Sequence, residues 1–211
     1  MHIKKTYQSK VIIDCSVSLP NQGNLILLVG RNGQGKSTLL KVLSGTIVNE
    51  SGGGLTNESV LLIGSDTFLI ENLSLSQNLK LFIKINSIKN VDKLVSDYMN
   101  VMDLNPYVNK KVANISLGTR EKLLLLMSLI STHDYILLDE PFLTLDPRAY
   151  LTILEMITDK KYLMLHRLII VTNNEKIYSD FNRLSSETWI LRDSKLAVNY
   201  DKGKSLKDVM D

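Results

Sequence analysis

Leu25-Ile26-Leu27-Leu28-Val29-Gly30-Arg31-Asn32-Gly33-Gln34-Gly35-Lys36-Ser37 reads as an apolar strand running into a glycine-rich turn and then a helix. Five apolar residues without alternation predict a strand buried on both faces, the habit of parallel sheets covered by helices. Residues 30–37 match the pattern G-x-x-x-x-G-K-[ST]. Such glycines let successive backbone N–H groups curl around one anion, and the start of the following helix adds its dipole. Leu39, Leu40 and Leu43 give that helix an apolar side. On this reading Lys36 reaches the β- and γ-phosphates of a nucleotide and Ser37 ligates Mg²⁺. Chance supplies the pattern on the order of once in a hundred chains of this length, and the strand-loop-helix setting makes chance rarer still.

Outward from the loop, three more unbroken apolar runs appear at Val60-Leu61-Leu62-Ile63, Tyr135-Ile136-Leu137-Leu138 and Leu168-Ile169-Ile170-Val171. Alternation of such runs with helical patterns predicts an α/β fold built on a mostly parallel sheet flanked by helices. The second run ends in Asp139-Glu140-Pro141, which sets two carboxylates at the carboxyl edge of a strand, where parallel sheets bind ligands. There Asp139 would hold Mg²⁺ and Glu140 would act as general base on the attacking water.

Between residues 66 and 115 the strand signal vanishes. Ser74-Leu75-Ser76-Gln77 fits a capping box, followed by Leu75, Leu79, Phe82 and Ile83 on one helical face. Val91, Leu94, Val95 and Tyr98 repeat the pattern. These predict a helical insertion at about 66–117 within a single domain. Thr188 to Tyr200 reads as two strands turning at Asp193-Ser194, and Lys204 to Met210 as a closing helix.

The bulk properties narrow the class. A net charge of +3 with scattered lysines predicts no nucleic-acid partner, and the pairs Lys4-Lys5, Lys110-Lys111 and Lys160-Lys161 read as solvated faces. Cys15 is the single cysteine, so no internal disulfide forms and a reducing compartment is the simpler expectation. The first residues lack a secretory apolar stretch, and no apolar run approaches the ~18 to 20 residues that span a bilayer. His2, His133 and His166 read as surface residues.

Asn32 inside the loop, Leu-Leu-Asp139-Glu140-Pro141, and Leu145-Asp146-Pro147 beyond it resemble the nucleotide-binding domains of ABC transporters. Ile115-Ser116-Leu117-Gly118-Thr119 looks like a variant of that family's signature L-S-G-G-Q, and Glu71-Asn72-Leu73-Ser74-Leu75 like the opening of its helical subdomain. The resemblance implies a P-loop NTPase core with a small N-terminal antiparallel part and an inserted helical subdomain. It implies ATP and Mg²⁺ as ligands, with nucleotide contacts from Tyr7 (stacking on adenine), Asn32, Gly33, Gly35, Lys36, Ser37 and Thr38. From a partner domain it implies contacts by Ser116, Gly118 and Asp146. Read alone, Ser116 and Asp146 are N-caps, the latter with Pro147 at the first helical position.

Two departures stand out. Ser65 falls where the family has a glutamine sensing Mg²⁺ and the attacking water, with Asp66 adjacent. Asn173, in Val171-Thr172-Asn173-Asn174, falls where it has a histidine on the γ-phosphate. Both are candidate catalytic positions, and both predict slow hydrolysis. The resemblance also implies separate transmembrane permease subunits, a homodimer or a pairing with a second ATPase chain, and a place on the cytoplasmic face of the membrane. The ending Ser205-Leu206-Lys207-Asp208-Val209-Met210 is similar to the tail of drug, lipid or peptide exporters. The other readings are a soluble ABC-type ATPase acting on an assembly and a P-loop kinase or GTPase. The last leaves Ile115–Thr119 and Asp146 unexplained.

Overall fold

The computed structural model describes residues 1–19, 25–55, 58–64, 67 and 69–210. The chain begins with strands β1 (His2–Tyr7), β2 (Lys10–Ser16) and β3 (Leu25–Val29), then helix α1 (Lys36–Leu43) and strand β4 (Val60–Ile63). Helices α2 (Leu75–Ile85), α3 (Asp92–Val101) and α4 (Leu117–Leu129) precede strand β5 (Tyr135–Asp139). Helices α5 (Pro147–Ile157) and α6 (Lys160–Leu165) lead to strand β6 (Arg167–Val171) and helix α7 (Glu175–Asn182). Strands β7 (Glu187–Arg192) and β8 (Lys195–Asn199) and helix α8 (Leu206–Met210) follow. Two compact units emerge: Met1–Gly64 with His133–Glu140 and Leu163–Asp211, and Ser65–Thr132 with Pro141–Tyr162. The second unit therefore takes in α4 and α5 as well as the 66–117 stretch.

In the first unit a six-stranded sheet runs in the order β4-β5-β6-β3-β7-β8. All neighbours are parallel except the final pair β7 and β8. The continuous apolar run of β3 follows from its central place, since no residue of it is more than 2% exposed. The run of β4 has another outcome: it lies at the sheet edge, and Val60, Leu61 and Leu62 are only partly buried. An unbroken apolar pattern therefore marks membership of the sheet, not depth within it.

Asp193 and Ser194 turn β7 into β8 with φ of 47° and 65°, the left-handed pair that a two-residue hairpin demands. Gln8 and Ser9, also left-handed, join β1 to β2 in a separate two-stranded sheet. The hairpins are stitched together where Asp14 N donates to Ser194 O (2.8 Å) and Ser194 Oγ to Val11 O (3.0 Å). Ile3, Ile13 and Val17 join Leu39, Leu40, Leu43 and Trp189 in one core. The register pairs Val171 with both Leu28 and Asp139. Strands β3, β6 and β5 thus end level, and Gly30, Asn173 and Glu140 leave the sheet at one carboxyl edge.

Two surface expectations change here. His166 is 7% exposed, with Nδ1 2.8 Å from His133 O, a bond that lets the ring be buried. Burial holds its pKa below the ordinary histidine value. Lys5 is not a free solvated charge either: it pairs with Glu50 at 3.4 Å.

In the second unit the capping box forms as expected, Ser74 N donating to Gln77 Oε1 (2.8 Å) and Gln77 N to Ser74 Oγ (3.2 Å). Asn78 fixes the preceding loop, accepting from Ile70 N and donating to the Ile70 and Ser74 carbonyls. Helix α3 departs from its expected face: Leu94 is exposed at 37%, and Met99 is the buried residue. Helix α4 buries residues on every side of its second half, including Leu123, Leu125, Leu126 and Met127, as befits an element surrounded by others.

Candidate nucleotide site

Gly35 sets the entry to α1. Its φ is 99°, and a Cβ there would lie 2.7 Å from Ile12 Cγ2 on β2. Only glycine takes that left-handed angle and permits so close an approach. Among the described residues the cap has no side-chain acceptor, and a helix start that lacks one is suited to receive an anion. Ser37 is exposed and Thr38 half-buried in this first turn. Gln34 holds the loop to the far hairpin, its Oε1 accepting from Asp193 N at 2.9 Å.

Lys36 is the chemical centre. It is 6% exposed, and its Nζ donates to Gly30 O (2.8 Å) and Arg31 O (3.2 Å). Burial pulls its pKa below the usual lysine value, while the Glu140 and Asp139 carboxylates pull it back up. A buried ammonium resting on two loop carbonyls can exchange these neutral acceptors for anionic ones, which bind it more strongly.

Asp139 ends β5 and is half-buried, as is Glu140. Glu140 has φ of 52°, a conformation that costs a non-glycine residue about 1–3 kcal/mol and clusters at functional sites. Its N–H donates to Val171 O at 3.2 Å. Asn173 donates from Nδ2 to Glu140 Oε1 (3.4 Å) and to Asn32 Oδ1. Its own Oδ1 is buried with no partner among the described residues. Together these groups fit a nucleoside triphosphate with Mg²⁺: a cation and helix start for phosphate, a hydroxyl and carboxylate for the metal, a second carboxylate for proton transfer.

Tyr7 closes β1 with 47% of its surface exposed, and the Lys5 ammonium lies 5.4 Å from its ring centroid. In the second unit, Ser116 Oγ accepts from Thr119 N (3.2 Å), capping α4. Asp146 Oδ1 accepts from Ala149 N (2.9 Å), capping α5. Chiefly that N–H, with help from Lys122 at 3.2 Å, holds the Asp146 carboxyl below its ordinary pKa. A Cβ on Gly118 would stand 2.8 Å from Thr144 O, so the close approach of the two loops requires glycine.

The structure thus gathers Asn32, Lys36, Asp139, Glu140 and Asn173 within the first unit. Ser116, Gly118 and Asp146 belong to the second. Ser65 and Asp66 lie outside the described residues. Sequence reasoning missed Glu121, whose Oε2 accepts from Thr144 N (2.9 Å) and Thr144 Oγ1 and whose pKa burial raises. It also missed Gln34 as a brace and the pairing of Asn32 with Asn173, because partners 23 to 159 positions apart leave no local pattern.

Comparison with known proteins bears on this geometry. The sequence model of the ABC transporter family matches residues 14–143, well over half of the chain. ABC transporter A family member 11 of Dictyostelium discoideum is 29% identical over 184 residues, covering 80% of this chain but 22% of that protein. The lantibiotic transport ATP-binding protein SrtF of Streptococcus pyogenes is 25% identical over 220 residues, covering 99% of this chain and 93% of the relative. A solved ATP-binding subunit of an ABC transporter superposes with a TM-score of 0.85 at 21% identity, over 99% of this chain and 95% of that one. With its fold and its phosphate edge in agreement, the chain belongs to the ABC transporter family, as one of its nucleotide-binding ATPase chains.

Proposed function

We propose that this chain powers transport, in the export direction, through separate transmembrane permease subunits, working on the cytoplasmic face as a dimer. The observation that carries the reading is Lys36, a buried ammonium parked on Gly30 O and Arg31 O and held in the field of the Glu140 and Asp139 carboxylates. Export is supported by the exporter-like tail at Ser205–Met210 and by the lantibiotic-transport relative of matching length. Among the described residues no helix is long and apolar enough to cross a membrane.

In the proposed reaction Lys36 leaves the loop carbonyls for the β- and γ-phosphate oxygens, joined by the N–H groups at the start of α1. Tyr7 stacks on the base, and Gly33, Gly35 and Thr38 line the phosphate path. Ser37 and Asp139 would hold Mg²⁺, which when bound supplies charge neutralisation at the phosphates. Glu140 accepts a proton from water as the water oxygen bonds to the γ-phosphorus and the bond to the bridging oxygen breaks, leaving ADP and phosphate. Ser116 and Gly118, with Asp146 beside them, serve the site of the opposite ATPase chain. Asn173 donates a neutral hydrogen bond where a histidine would offer a charged one, and Ser65 lacks the reach of a glutamine. Charge-assisted bonds are about twice as strong, so basal turnover is slow and rises when a partner aligns the site.

A detergent pull-down with the tagged chain tests the reading. Recovery of a polytopic membrane protein, with ATPase turnover stimulated on reconstitution, supports it. Recovery of soluble partners alone overturns it in favour of an assembly ATPase.

A further inference from the structure

The glycine loop and the general base are joined by a pair of amides. Asn173 Nδ2 donates both to Asn32 Oδ1, 141 positions away, and to Glu140 Oε1, 33 positions away at 3.4 Å. The Glu140 carboxylate accepts, so the atom facing it is the amino end of the Asn173 amide, and Asn32 then turns its Oδ1 toward that same atom. The reverse orientation would set a carbonyl against the Glu140 carboxylate. The other end, Oδ1, is buried and has no partner among the described residues. The groups behind the amide therefore do not orient it; Asn32 and Glu140 do. Glu140 itself has a fixed backbone, left-handed at φ 52° and bonded through its N–H to Val171 O.

Resting on the ATPase reading, we propose that Asn32 and Asn173 form a two-amide relay that aims the Glu140 carboxylate before nucleotide arrives. Before nucleotide arrives, Asn173 is a positioning residue acting through Glu140. Asn32 ties that base to the loop whose carbonyls, Gly30 O and Arg31 O, hold Lys36. Movement of Lys36 off those carbonyls is then felt one residue later at Asn32 and, through it, at the base.

Side-chain amide NMR of the nucleotide-free protein tests the relay without turnover. The Asn173 NH₂ signal, identified by its loss in Asn173→Ala, is expected to move in Asn32→Ala and in Glu140→Gln. It is expected to stay near its wild-type position in Asn32→Asp, which keeps an acceptor in place. Asn32 is exposed, so these substitutions leave the fold intact. In steady-state assays at saturating ATP, Asn32→Ala and Asn173→Ala should each lower kcat about 5- to 10-fold. The double variant should be no worse than about 2-fold below the weaker single, because members of one network are not additive. An Asn173 signal indifferent to residue 32, or kcat losses that multiply, would overturn the relay. Lys36→Ala serves as the separate control: unchanged ATP binding there would bring down the ATPase reading itself.

Discussion

The phosphate edge of the first unit and the capped helix starts of the second use the same physics for different ends. At Gly35 the helix start lacks a side-chain cap among the described residues. At Ser116 and Asp146 the helix starts are closed by their own side chains, and Asp146 is also paired with Lys122. A helix start without a cap is a site in waiting, stabilised by a ligand. A capped one is stabilised already, so any anion must compete with the cap or share it. The uncapped start is thus left for a ligand to stabilise, whereas Ser116 and Asp146 contribute to stability whether or not a second chain is present.

The comparison breaks most sharply at Lys36. Replacing it with alanine removes the buried ammonium, and ATP affinity in equilibrium binding is expected to fall at least about 100-fold. Glu140→Gln should leave affinity near wild type and lower turnover by about 10²–10⁴-fold; full hydrolysis in that variant would place the base elsewhere. On the other side, Asp146→Ala should leave nucleotide binding intact and cost about 1 kcal/mol through the lost cap, read as a fall in Tm of roughly 2–4 °C. The Asp146 carboxyl titrates below its ordinary value, so its contribution is fully present above about pH 4 and lost as pH falls through the lowered folded pKa. The gap between wild type and variant should close on acidification.

The smallest expected effect sharpens the same contrast. Glu121 is penalised by burial in its ionised form, so its folded pKa is raised and the penalty grows as pH rises from the ordinary glutamate range. Glu121→Gln keeps an acceptor for Thr144 and removes the charge. At neutral pH Tm should rise by no more than about 2 °C, with no difference once the wild-type carboxyl is protonated. A marked fall in Tm would mean that the charge itself holds the Thr144 loop.

What could be read in the residues was local. Glycines next to Lys36 demand a turn whatever surrounds them, Ser74 with Gln77 closes a capping box within one helical turn, and Asp193-Ser194 accepts left-handed angles. Apolar runs announced the strands, and the spacing of Asp139 and Glu140 announced two acids at a strand end. Depth was not legible: β3 and β4 have equally apolar runs, yet one is central and the other lies at the edge. Leu94, expected on the buried face, is exposed while Met99 is buried, for a related reason. Helical periodicity gives candidate faces, but the packing neighbours choose among them.

Partners far apart in sequence were decided only by the tertiary structure. Asn173 meets Asn32 and Glu140 because β3, β6 and β5 lie side by side and end level. His166 is buried because the His133 carbonyl meets its ring. Sequence by itself determined the chemistry available at the phosphate edge, since a backbone turn and a charged group act over a few bonds. Tertiary structure determined which groups share that edge, since hydrogen bonds reach about 3 Å and only the order of the strands brings distant residues so close.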